Sequence, residues 1–160
     1  MNKIHRKLEY ALIALKHMNQ KRPGELTTVK EICQKYSTPF DATARVMQQM
    51  VQGQFLKSEQ GAYGGYVIQR DLSKLSLREV ISCVVGPVEI AKCMVDPATE
   101  SPCEIRETCN IMTPITLLNE KLVRFYEDIN ILELLSAEKK STEKKTTVNS
   151  TTPALVEVAP

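Results

Sequence analysis

Three cysteines carry the clearest chemical signal in this chain of 160 residues. They fall in the pattern Cys93-x9-Cys103-x5-Cys109, on a polar, proline-containing stretch between two helical patterns. Three thiols cannot close a disulfide set among themselves. The spacing also lacks the paired C-x2-C knuckles of structural zinc sites. Thiolates gathered on an irregular loop suit an iron–sulfur cluster, whose irons need four ligands. The fourth ligand must then come from elsewhere in the chain, from a partner subunit or from a small molecule. The other two cysteines, Cys33 and Cys83, sit in apolar surroundings and read as small core residues.

The cysteine pattern is flanked by a charge asymmetry. Residues 1–75 carry 12 Lys and Arg against 6 Asp and Glu, a net +6, and residues 76–135 carry 5 against 10, a net −5. Residues 136–160 carry 4 against 3, so the whole chain is only +2. A basic first half points toward a polyanion. With 42% hydrophobic residues the chain can build a core without disulfide staples. No apolar run approaches the roughly 18 residues of a membrane span, and the first residues are not those of a secretory signal. A reducing cytoplasm is the expected compartment. No Ser/His/Asp or Cys/His constellation is evident. The two histidines, His5 and His17, share one helical pattern away from the cysteines, so an enzyme is not expected; His17 reads as a surface residue.

The elements that would position these groups follow from periodicity. Ile4, Leu8, Ala11, Leu12, Leu15 and Met18 recur at helical spacing from about Lys3 to Asn19. Pro23-Gly24 interrupts the chain. Thr28 and Glu31 form a capping-box pattern opening a helix over 29–36. Ser37-Thr38-Pro39 opens the next helix, which runs to about Gln52 with Ala42, Val46, Met47 and Met50 inward. Two strand-like runs, 54–59 and 66–69, flank a turn containing Gly61, Gly64 and Gly65 and predict a β-hairpin. Ser76 and Glu79 cap a helix over 77–85. A last long helix starts at Thr113-Pro114, and Ile111, Ile115, Leu118, Leu122, Phe125, Ile129 and Leu132 form a heptad seam that predicts pairing with a second copy.

Three helices followed by a hairpin is the order of a winged helix-turn-helix. The expected architecture is therefore mainly α with a small β-hairpin wing and a long C-terminal dimerisation helix. Residues 1–75 form the DNA-binding domain, 76–135 the cluster-binding loop and dimerisation helix, and 136–160 a disordered tail too poor in apolar groups to order. In such a fold the second helix of the motif enters the major groove. Ser37, Thr38, Thr43, Arg45, Gln48 and Gln49 are its candidate contacts. Lys57, with His5, Arg6, Lys7, Lys30, Lys35 and Arg70, would reach phosphates. Gln60 and Tyr63 sit on the wing, where glycines permit close approach to a backbone. The G-x-x-G-G there is no phosphate loop, since no helix and no Lys-Ser/Thr pair follows it.

Over roughly residues 2–135 the chain resembles the IscR/NsrR-type winged-helix transcription regulators. The resemblance rests on Leu8-Glu9-Tyr10-Ala11-Leu12, on Val46-Met47-Gln48-Gln49-Met50 running to Phe55-Leu56, on Gly61-Ala62-Tyr63-Gly64-Gly65-Tyr66, and on Ser76-Leu77-Arg78-Glu79-Val80-Ile81 leading to Gly86-Pro87 and the cysteines. It implies a homodimer on double-stranded DNA whose affinity is controlled by an iron–sulfur cluster sensing redox state, nitric oxide or iron status. A carboxylate on the first helix can complete such a cluster, and the matching position is Glu9. The metal ligands implied are then Cys93, Cys103, Cys109 and Glu9. Three departures stand out: the first cysteine gap is long, Met112 stands where related proteins carry a histidine three residues after the last cysteine, and Gln60 stands where a wing arginine is common. The missing histidine favours Glu9. A carboxylate ligand and a long gap are compatible with a 2Fe–2S cluster, with 4Fe–4S the alternative. Two other functions share the same residues: a cluster-free DNA-binding regulator that senses oxidants through its thiols or binds a metabolite, and a dimeric adaptor for a protein partner.

Overall fold

The computed structural model describes residues 4–61, 64–94 and 103–137. Within them the chain runs α1 (Arg6–Asn19), α2 (Val29–Tyr36), α3 (Phe40–Gln52), β1 (Leu56–Glu59), β2 (Gly65–Ile68), α4 (Leu77–Val84), α5 (Met112–Asp128) and α6 (Ile131–Ser136). This is the expected mostly helical chain with one antiparallel hairpin.

α1 starts later than its apolar pattern suggests. His5 is the N-cap, and its Nδ1 accepts from the Lys7 backbone N–H at 3.2 Å. Ile4 lies ahead of the helix and is exposed rather than inward. Leu8, Ala11, Leu15 and Met18 form the buried stripe. α2 is capped by Thr28, whose hydroxyl accepts from the Glu31 N–H at 3.1 Å. α3 buries Thr43, Val46, Met47 and Met50 against α1. Ala42 is only half-buried, because Thr43 takes the inward position.

The hairpin pairs Leu56 with Ile68 and Glu59 with Gly65. Its second strand is held on its other side by Thr27, which exchanges backbone hydrogen bonds of 2.9 Å with Tyr66 in both directions. Gly65 is required for this approach, since a Cβ there would stand 2.9 Å from the Thr27 carbonyl oxygen. A short 3-10 turn, Leu72–Lys74, then leads to α4. The Ser76–Glu79 capping box forms as its residues predict.

The seam on the last helix does not run as one helix to Leu132. α5 ends at Asp128, where the chain turns extended at Ile129 and Asn130. The Leu77 N–H donates to the Ile129 carbonyl and the Ile131 N–H to the Leu75 carbonyl, both at 2.9 Å. Asn130 fixes the break: its Oδ1 caps α6 through the Glu133 N–H, and its Nδ2 donates to the Ser73 carbonyl at 2.6 Å. Asn favours caps over helix interiors for this reason. Ile131 and Leu135 of α6 join the same core as Leu77, Val80 and Val84 of α4 and the buried faces of α1 and α3. α5 itself buries no residue fully. The predicted tail lies outside the described residues from position 138 onward.

Candidate nucleic-acid interface and cysteine segment

The turn between α2 and α3 is rigidly specified. Ser37 ends α2 in the left-handed conformation, with φ 53° and ψ 38°, and Pro39 holds φ at −64° as the N-cap of α3. Thr43 was expected to reach DNA; it is instead fully buried, at 0% exposure. Its hydroxyl lies 2.8 Å from the Pro39 carbonyl and 2.9 Å from Thr38 Oγ1. Thr38 in turn reaches Cys33 Sγ at 3.5 Å. Thr43 and Thr38 therefore hold the turn from within, and Thr43 makes no contact with an outside ligand.

The other candidates divide by exposure. Ser37, Arg45, Gln48, Lys57 and Gln60 are exposed. Gln49 is half-buried, and its Oε1 is buried with no hydrogen-bond partner among the described residues. Lys57 lies 3.4 Å from Glu59 across solvent. Tyr63 lies outside the described residues. Lys7 of α1 joins Arg45, Gln48, Gln49 and Gln52 of α3 around a shallow recess of about 310 Å³. Arg70, partly exposed, bonds Glu79 at 2.5 Å and lies over the Phe55 ring, 5.5 Å from its centroid. Burial disfavours ionisation of Glu79, yet hydrogen bonds from Ser76 and the Arg70 guanidinium outweigh it and hold its pKa below the usual range.

One aromatic side chain of α3, Phe40, was given no role by the sequence reading. Phe40 has the helical spacing of Thr43, Met47 and Met50, which assigns it to the inner face. It is nevertheless 57% exposed, because the core ends one turn further along α3.

His17 was expected on the surface and is buried, at 4% exposure. Its Nε2 lies 2.8 Å from Glu31 Oε1 and its Nδ1 3.1 Å from the Tyr36 hydroxyl. A carboxylate can only accept, so Nε2 carries the proton. Lys21 Nζ adds a contact of 2.7 Å to the same carboxylate. Burial raises the Glu31 pKa, but the bonds and charges of Lys21 and His17 more than offset it, and the net shift is downward. This cluster ties the end of α1 to α2. A polar residue at a buried helical position gave no sequence signal of its own, since Glu31 and Tyr36 are distant along the chain.

The cysteines divide into two groups. Cys33 and Cys83 pack against the core as expected. Cys83 Sγ sits 3.3 Å from the Gln49 carbonyl at the end of α3, and burial pushes its thiol pKa up. A Cβ on Gly53 would meet that sulfur at 2.7 Å, so α4 and the end of α3 are in close contact here. Cys93, Cys103 and Cys109 are all free and half-buried, on the stretch of chain that precedes α5. Cys93 lies on a 3-10 turn and lines a recess of about 430 Å³ with Arg106, Met112, Thr116, Leu117 and Glu120. The Cys103 carbonyl accepts from the Arg106 N–H at 3.3 Å. Glu9 is half-buried on α1 and pairs with Arg6 at 2.7 Å. The donor types suit an iron–sulfur cluster. Among the described residues, however, no three His, Cys, Asp or Glu side chains gather into a group that could hold a metal ion. Residues 95–102, between the first two thiols, lie outside the described residues.

A helix-turn-helix followed by a β-hairpin, with Ser37, Arg45 and Gln48 exposed around its second helix, is a winged-helix architecture. The profile of the Rrf2 family, described as "Iron-dependent Transcriptional regulator", matches residues 4–137, and the chain belongs to that family. It is 26% identical to the HTH-type transcriptional regulator NsrR of Bacillus subtilis over 117 residues, 73% of this chain and 77% of that protein. Two solved structures share the fold. CymR, the global cysteine regulator of B. subtilis, superposes with a TM-score of 0.62 at 21% identity, covering 85% of this chain and 98% of that one. IscR of T. potens superposes with a TM-score of 0.54 at 14% identity, covering 84% and 86%. The protein is thus a DNA-binding transcription regulator and not an enzyme. No helix among the described residues is long and apolar enough to cross a membrane.

Proposed function

We propose that this regulator binds double-stranded DNA as a homodimer and that an iron–sulfur cluster held by Cys93, Cys103, Cys109 and a carboxylate, Glu9, sets its affinity. The observation that carries this reading is the set of three free, half-buried thiols on the stretch that precedes α5, in a chain whose family is described as iron-dependent. When bound, such a cluster supplies a crosslink labile to oxidants, nitric oxide and iron loss. The protein's own part is mechanical. α1 carries Glu9 and packs along α3, so whatever ties α1 to the cysteine segment bears on the helix that reads DNA. Glu9 must leave its exposed bond to Arg6 to serve as a ligand, at small cost, since such surface pairs contribute about 0–1 kcal/mol. In this reading Glu9 of one protomer stands beside the cysteines of its partner, and the three thiols, which do not gather in this structure, draw together on the cluster.

Anaerobic reconstitution with iron and sulfide tests it. Wild type is expected to take up iron and sulfide in equal amounts with visible absorption, and Cys103→Ala to take up little. Equal, negligible iron in both proteins would overturn the cluster.

A second reading is favoured by the same lack of a gathered metal group. The three thiols would then act alone, forming sulfenate or disulfide under oxidant. Mass spectrometry of the metal-free protein after peroxide treatment separates the two readings.

A further inference from the structure

We infer that Phe40 is a base-reading residue, its ring covering the C5-methyl of a thymine in the major groove. The inference rests on α3 being the helix that enters the groove. Phe40 is the first residue of that helix and is 57% exposed, although its spacing belongs to the inner stripe. It takes no part in the hydrophobic core or in the shell packed against it. Side chains of an α-helix tilt toward its N-terminus, so the ring projects past the leading end of α3. In helix-turn-helix proteins that end meets the base edges.

The turn holds the ring there. Pro39 fixes the backbone immediately before Phe40, and Thr43 hydrogen-bonds back to both Pro39 and Thr38 from inside the domain. The neighbouring chemistry also selects a base edge over the phosphate backbone. The first turn of α3, Phe40-Asp41-Ala42-Thr43, has one exposed carboxylate and no cation; the first positive charge is Arg45. An aromatic ring has one distinctive partner among base edges in the major groove, the thymine methyl.

The full-length protein, both reconstituted with iron and sulfide and metal-free, is used to select duplexes from a random-sequence DNA library. Each thymine fixed by the selection is then replaced by uracil, which removes only the methyl. Wild type should lose about fourfold in affinity at one thymine per half-site, the value for exposing one methyl-sized group. Phe40→Ala should bind thymine and uracil duplexes equally while keeping the wild-type salt dependence, which reports phosphate contacts. The thymine-to-uracil comparison on wild type needs no variant, so a poorly folding Phe40→Ala does not spoil the test. Uracil tolerated at every selected thymine, or a thymine preference that survives Phe40→Ala, overturns the inference alone, with DNA recognition by α3 left standing. Selection of no duplex by either preparation overturns the reading of α3 as well.

Discussion

At the scale of single residues, His17 is buried against expectation, and the partly exposed Glu31 is its partner. Glu31 accepts from His17 and Lys21 and joins two helices of the DNA-binding head. Its folded pKa lies below its ordinary value, so the unfolded chain binds the proton more readily. Stability from this group is therefore complete above the ordinary glutamate pKa of about 4.3 and is lost as pH falls through the folded value. Glu31→Gln should reduce stability at neutral pH by about 1 kcal/mol, the usual size for a partly exposed charged hydrogen bond. It should also flatten the acid side of the stability profile, measured by urea unfolding from pH 7 down to pH 3. An unchanged acid slope in the variant would remove Glu31 from this role. Thr43 teaches a related lesson. Its type suits a DNA contact, but a hydroxyl one turn into a helix can equally bond back to the carbonyl four residues earlier, and here it does.

At the scale of elements, the helices and the hairpin were largely legible, because each carries its own punctuation. Thr28 and Ser76 cap their helices, Gly53 closes α3, and the hairpin register follows from its glycine turn. The last helix was misread at its end. A 3.5-residue repeat continues through Ile129 and Leu132 in sequence, but Asn130 breaks the helix by bonding Ser73 and capping α6. The remaining seam leaves Ile111, at the N-cap of α5, and Leu118 and Phe125 on it about half exposed, two turns apart from one to the next. A stripe of this kind on a helix with no buried residue is what a second copy would cover. Phe125→Glu should convert a dimer to a monomer in sedimentation equilibrium at micromolar concentration and weaken DNA binding at least tenfold. A dimer of unchanged strength would show that another surface joins the protomers.

At the scale of the whole molecule, the fold and class were readable from the order of elements, whereas the proposed ligand set is not, because Glu9 and the three cysteines lie far apart in sequence and do not gather in this structure. The cysteine segment stands beside the start of α5, and α4, which leads into it, touches the end of α3 through Cys83 and Gly53. In the proposed reading, α4 through these contacts and α1 through Glu9 couple the cysteine segment to α3. Such a coupling is worth a 5- to 150-fold change in affinity in typical allosteric proteins. The most direct test is DNA affinity measured anaerobically on one duplex at one salt concentration, for iron-loaded and iron-stripped protein. The account predicts at least a tenfold difference in wild type and none in Cys103→Ala; equal affinity of the two wild-type forms, with iron shown to be present in one of them, would contradict it.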